Sequence, residues 1–123
     1  MRVFKTRPFG RFARSEEISD ESLREAVAQA EGGRIDADLG GGVIKQRVAR
    51  RGEGKSGGFR TIILFRRRER AFFVYGFAKS DRGNIAPDEL KAFRRLAAEM
   101  LQLDDRALAA AMANGTLTEV SDQ

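Results

Sequence analysis

The chain has no cysteine, no histidine and no tryptophan, and only two prolines and one tyrosine among its 123 residues. Without cysteine there is no disulfide and no thiolate nucleophile. Without histidine the commonest metal ligand and the usual near-neutral general base are both missing. Thiol enzymes, Ser-His triads and ordinary zinc sites are thereby excluded. Asp36 and Asp38 sit two apart, but two carboxylates without further ligands read as part of a loop, not as a metal site. No apolar run approaches the roughly 18 residues that suggest a membrane span. The opening M-R-V-F-K-T-R-P-F-G lacks the apolar centre of a signal peptide, so the cytoplasm is the expected compartment. With 41% apolar and 33% charged residues, the composition suits one folded domain over residues 1–123.

What the chain does have is positive charge in one place. Residues 1–44 carry seven basic and eight acidic side chains, residues 45–79 eleven and two, and residues 80–123 five and eight. The whole formal excess of +5 therefore sits in the middle third. A field concentrated on one face attracts a phosphate polyanion better than the same charge scattered.

That middle third, Val43 to Lys79, reads as three apolar strand-like runs forming a β-meander. One junction is the glycine-rich G-E-G-K-S-G-G of Gly52–Gly58, and the other is the charged hairpin Arg66–Arg70. Gly54-Lys55-Ser56 resembles the end of a phosphate-binding P-loop. Ala49 stands where that motif needs glycine, and a strand, F-R-T-I-I-L-F, follows where it needs a helix. A Walker-type nucleotide site is rejected, and the stretch is expected to be a hairpin loop. Alternation along strands puts Lys45 and Arg47 on one face and Ile44, Gln46 and Val48 on the other. It also aligns Arg60 with Ile62 and Leu64, and Tyr75, Phe77 and Lys79 with Phe73. Antiparallel pairing then predicts a face that presents Lys45, Arg47, Arg60 and Lys79 beside Tyr75 and Phe77, cations for phosphates next to aromatic rings for bases.

Around the meander, Val3–Thr6 is a predicted strand, and Phe9 and Phe12 share a helical face behind it. Ser19 opens an amphipathic helix that stops at Gly32-Gly33, with Leu23, Ala26, Val27 and Ala30 on its apolar stripe. Arg34–Gly42 reads as a loop. Pro87-Asp88-Glu89 starts a helix whose Leu90, Phe93, Leu96, Ala97, Met100 and Leu101 are spaced to cover one side of the sheet. Asp104 caps a further helix closed by Asn114-Gly115, and T-L-T-E-V is left as a tail.

The order strand, helices, basic glycine loop, G-K-x-G-G-x-R-x-I-x-x-F, then V-Y-G-F-A-K-S-D-R and a helix near E-L-K-A resembles the RelE/HigB group of toxins from bacterial toxin–antitoxin modules. The likeness runs from Val3 to Leu101 and is most specific from Gly54 to Leu96. It implies a small α+β fold, an antiparallel sheet with N-terminal and C-terminal helices packed on it and a helical extension over about 104–120. It further implies a metal-free, cofactor-free mRNA interferase acting in the ribosomal decoding site. In that chemistry the ribose 2′-OH attacks the adjacent phosphate and protein cations stabilise the developing charge. Its partners are the ribosome, mRNA and a cognate antitoxin, expected to be a small helix-turn-helix protein. Carried over onto this sequence, Arg60 binds the scissile phosphate, and Lys45, Arg47 and Lys79 hold flanking phosphates or the transition state. Lys55, Arg50, Arg51 and Phe77 contact RNA. Phe77 falls where related chains can carry tyrosine, so Tyr75, a lysine or Glu53 is left to take the 2′-OH proton. Two other functions remain open from the sequence: a ParE-like poison of DNA gyrase, and a non-catalytic RNA-binding or regulatory protein.

Overall fold

The structure is a computed structural model that describes residues 1–50 and 54–121, with backbone alone for 54–56. Its elements are β1 (Arg2–Thr6), α1 (Arg7–Ser15), α2 (Asp20–Glu31), β2 (Ala37–Gly40), β3 (Val43–Arg50) and β4 (Gly54–Arg66). They continue with β5 (Arg70–Ala78), α3 (Pro87–Met100), α4 (Asp105–Ala113) and β6 (Leu117–Glu119). The six strands form one sheet in the order β2-β3-β4-β5-β1-β6. This is the expected α+β class. All pairings are antiparallel except β1 with β5, which runs parallel from Arg2↔Arg70 to Lys5↔Phe73.

Each helix starts where its capping chemistry begins. The Thr6 hydroxyl accepts from the Phe9 amide, Ser19 from Ser22, and Asp104 from Ala107, so each satisfies a donor that the first turn leaves unpaired. Ala86 has no capping side chain; its amide instead donates to the Glu89 carboxylate at 2.7 Å, while Pro87 supplies a preset first turn. The helices cover opposite faces of the sheet. Phe9 and Ala13 of α1 and Leu23, Val27 and Ala30 of α2 pack on Val3, Ile44, Val48, Ile63 and Phe73. Ala97, Met100 and Leu101 of α3, with Leu108 of α4, pack on Phe4, Val43, Ile62, Leu64 and Phe72. Two apolar faces sandwiching one sheet give most of the driving force for folding.

Three sequence expectations change. Residues 37–40 are a strand, not loop, because Ala37–Gly40 can pair with Val43–Lys45 across the turn at Gly41-Gly42. T-L-T-E-V is not a free tail: Leu117–Glu119 pair antiparallel with β1, and Leu117 and Val120 are buried. This return is pinned by Arg24, which donates to the Val120 and Ser121 carbonyls at 2.8 and 2.7 Å, and by Asp20, which accepts from the Ser121 amide at 2.8 Å. Finally, the stretch expected as a hairpin loop belongs to β4 from Gly54 onward. At Gly58 a β-carbon would lie 2.1 Å from the Val48 carbonyl oxygen, beside the irregularity between Val48 and Arg50, so glycine is required there by the close approach of β3.

Candidate functional site

Register decides which side chains meet. Lys45 lies opposite Ile62 and Ile62 opposite Tyr75; one step on, Arg47 lies opposite Arg60 and Arg60 opposite Phe77. These two rows share the face that α3 covers, since Val43, Ile62 and Leu64 pack against α3. Tyr75 of the first row packs 5.9 Å from Phe93 of α3, and the Arg47–Arg60–Phe77 row lies one step further from that packing. Lys45, Arg47, Arg60, Tyr75 and Phe77 thus share one side of the sheet, and Lys79 directly follows the end of β5 beside them.

Phe73 does not join them. A β-bulge falls between the pairs Ile62↔Tyr75 and Ile63↔Phe73, so Val74 and Tyr75 both turn toward the α3 side, and Phe73 is buried against Phe9 on the other. A bulge adds one residue to one strand and shifts the alternation from there on. The next residue makes use of it: Gly76 has no side chain, and the Phe12 ring occupies the space, 2.4 Å from where a β-carbon would stand.

Asp36 reaches this corner of the sheet only to accept from the Arg47 backbone amide at 2.6 Å, and it does not pair with a cationic side chain there. Arg47 and Arg60 are directly opposed on neighbouring strands, an arrangement of like charges that costs stability. Among the described residues no carboxylate lies within ion-pair distance of Lys45, Arg47, Arg60 or Lys79. Arg60 is half-buried, and its Nη1 is fully shielded yet has no hydrogen-bond partner among the described residues. A buried cationic N–H without an acceptor is costly, on the order of 1–3 kcal/mol or more, and is rare enough to require an explanation. An incoming phosphate oxygen is the acceptor such a group lacks. Lys79 is exposed and borders a cleft of about 350 Å³ with Gly57, Gly58, Ser80 and Arg50.

Two expected RNA contacts are placed differently. Phe77 is only 4% exposed, with the Arg82 guanidinium 5.6 Å above its ring; it is part of the corner's floor and has no free face for a base. Arg50 follows the bulge in β3 and turns to the opposite side, where it pairs with Glu16 at 3.4 Å and stacks 4.8 Å over Phe59. Arg51 and Glu53 lie outside the described residues, as does the side chain of Lys55.

Sequence reasoning passed over Arg82. Its Nη2 and Nη1 reach the Glu89 carboxylate at 2.6 and 3.1 Å, Nη1 also donates to the Tyr75 hydroxyl at 2.9 Å, and Nε donates to the Asn84 carbonyl at 2.9 Å. Hydrogen bonding to Glu89, and then to Tyr75, pushes the Arg82 guanidinium above its already high value. Hydrogen bonds from Arg82 and the Ala86 amide hold the Glu89 carboxyl below the usual carboxylate range. The signal in the sequence was the pair Arg82 and Glu89 flanking a helix start, visible as charge but not as contact.

A model of the RelE toxin of RelE/RelB toxin–antitoxin systems matches residues 1–120. The chain belongs to the RelE toxin family. It is accordingly the toxin component of a toxin–antitoxin system, with a cognate antitoxin as its partner. No curated protein matches this RelE-family toxin in sequence. Among its described residues no helix is long and apolar enough to cross a membrane, and no three metal-ligating side chains are grouped to hold an ion.

Proposed function

We propose that this toxin is a ribosome-dependent mRNA endoribonuclease that works without a metal. The ribose 2′-OH attacks the adjacent phosphate, the bond from phosphorus to the 5′-oxygen breaks, and the corner's cations stabilise the charge that builds on the phosphoryl oxygens. The observation that carries this reading is Arg60, a half-buried guanidinium with an unpartnered Nη1, set opposite Arg47 with no carboxylate in ion-pair distance of either side chain among the described residues. Cations fixed before the substrate arrives cost no reorganisation at the transition state, and removing one such donor costs about 10²–10³ in rate. Lys45 and Lys79 flank Arg60 for neighbouring phosphates. Tyr75 is the aromatic of the corner with a hydroxyl to offer the reacting groups.

The test is message cleavage by the purified toxin with ribosomes programmed on a defined mRNA, alongside expression in cells without antitoxin. We expect cuts within codons and growth arrest, both lost in Arg60→Ala. Arrest with intact message and double-strand DNA breaks would indicate a gyrase poison instead. Full viability with salt-sensitive RNA affinity would indicate a non-catalytic binder.

A further inference from the structure

The corner contains one cation that is fully engaged. Arg82 uses all three guanidinium nitrogens on groups from three segments: the Glu89 carboxylate on α3, the Tyr75 hydroxyl on β5 and the Asn84 carbonyl in the turn between them. Its plane lies over both aromatic rings, 5.7 Å from Tyr75 and 5.6 Å from Phe77. The Tyr75 ring is further held between Phe77 and Phe93, each 5.9 Å away. Asn84 extends the set, because its side-chain oxygen accepts from the Ile85 amide at 2.9 Å and lies 3.4 Å from Lys45 Nζ. A continuous chain of contacts therefore joins Glu89, Arg82, Tyr75, Asn84 and Lys45.

We propose that Arg82, anchored by Glu89, is a positioning residue that fixes the Tyr75 hydroxyl and, through Asn84, the Lys45 ammonium against the Arg60 corner. The proposal rests on the endoribonuclease reading above. Arg82 itself is a poor phosphate ligand: its charge is matched by a carboxylate at 2.6 Å, and each of its nitrogens already has an acceptor. Arg60 has the reverse character, charged and unpartnered. The two arginines thus divide the work, one holding substrate and the other holding the groups that act on it.

The identity of the residue matters to this role. The three nitrogens of a planar fork can reach a carboxylate, a phenol oxygen and a backbone carbonyl at once, whereas a lysine ammonium is a single point on a flexible stem. Arg82→Lys keeps the charge and an ion pair with Glu89 but cannot span all three partners. Displacement of a reacting group by about 1 Å costs on the order of 10²-fold in rate. A positioning role therefore predicts loss of turnover without loss of binding.

The experiment measures single-turnover cleavage on programmed ribosomes, RNA affinity in salt titration, and thermal melting, for wild type, Arg82→Lys, Glu89→Gln, Tyr75→Phe and the Tyr75→Phe/Arg82→Lys double variant. Arg82→Lys is expected to cut about 10- to 100-fold more slowly, with RNA affinity and its salt slope unchanged and a melting point within about 4 °C of wild type. Glu89→Gln is expected to fall between the two. The double variant is expected to be no slower than the worse single variant, since both changes break the same contact. Arg82→Lys cleaving at the wild-type rate overturns the proposal. So does a loss that follows RNA affinity, which would make Arg82 a phosphate ligand, or a double variant whose losses multiply. A wild type that cuts no message in this assay removes the endoribonuclease reading and this inference with it, and is distinguished from the other outcomes by that control alone.

Discussion

Two arginine-rich regions of this toxin look alike in sequence and behave oppositely in the fold. The hairpin Arg66–Arg70 carries the denser run of charge, yet the side chains of Arg66, Arg67 and Arg70 are engaged in structure. Arg66 donates to the Leu101 carbonyl at 3.0 Å, Arg67 to the Glu31 carbonyl at 3.0 Å, and Arg70 to the Leu103 carbonyl and to Asp105. Those carbonyls end α2 and follow α3, where helices leave acceptors unpaired and carry partial negative charge. Arg68 turns the hairpin with φ 68° and gives its amide to Glu31 at 2.7 Å. At the other end of the same sheet, the side chains of Arg47, Arg60 and Lys79 have no ion-paired carboxylate among the described residues, and Asp36 meets Arg47 only at its backbone amide. Charge density along the chain is therefore a poor guide to function here, and the better one is whether a cation has already been answered by the protein.

The sharpest break in that comparison is cleavage itself. Arg60→Ala should lower the rate of message cleavage at least about 100-fold, worth about 3 kcal/mol of transition-state stabilisation. Arg67→Ala should leave it within about twofold of wild type, inside the roughly ±0.5 kcal/mol expected of surface changes. If both variants lose activity alike in a ribosome-programmed assay, the division between the two regions fails.

The converse experiment reads stability. Arg70 is 17% exposed in its side chain and holds a carbonyl just beyond the last turn of α3. Arg70→Ala should destabilise the fold by about 1–2 kcal/mol, the range for a hydrogen bond to a charged group, as a shift of the urea midpoint with unchanged cleavage per folded molecule. Arg47→Ala should move in the other direction or not at all, since it relieves a like-charge pair with Arg60. A smaller effect separates the regions again: Arg47→Gln and Lys79→Gln should each flatten the salt dependence of RNA affinity by about 0.7 in log–log slope, the value for one lost single-strand phosphate contact. The same change at Arg66 or Arg67 should leave the slope unaltered.

How much of this was legible beforehand depends on the distance over which each feature is decided. Helices α2, α3 and α4 were readable because caps and apolar spacing are local: Ser19, Pro87 and Asp104 stand at or beside their starts. The shared face of Lys45, Arg47 and Arg60 was readable because β3 and β4 alternate regularly where those residues lie. Strands β2 and β6 were not, since A-D-L-G and L-T-E have little strand character alone and are extended because β3 and β1 lie beside them. The parallel β1–β5 pairing joins segments about 70 residues apart and leaves no mark in either. The bulge at Val74 separated Phe73 from Tyr75, and the register shift that marks it is a property of the pairing, not of V-Y-G-F. Arg82 was missed for the same reason: its partners are set by the turn that brings α3 back over β5.

Acid should separate the two kinds of charge by the smallest margin. Hydrogen bonding from Arg2, at 2.8 Å, holds the Glu119 carboxyl below its usual range against the opposing effect of burial, and Arg82 does the same for Glu89. A carboxyl whose folded pKa is depressed contributes stability that is fully present above its unfolded value, about 4.3 for glutamate. That contribution is lost as pH falls through the lower folded value. Both side chains of the Arg2–Glu119 pair are more than one-third exposed, so solvent screening limits it to about 0.5 kcal/mol. Glu119→Gln should therefore lower the urea midpoint slightly at pH 7, and that difference should shrink progressively as the pH falls below about 4.3. Among the described residues no carboxylate is ion-paired with Arg60, and RNA phosphates stay charged throughout. Between pH 7 and pH 5 the RNA affinity of the folded toxin should stay level, and a steep change there would mean that an acidic group answers the Arg60 cation.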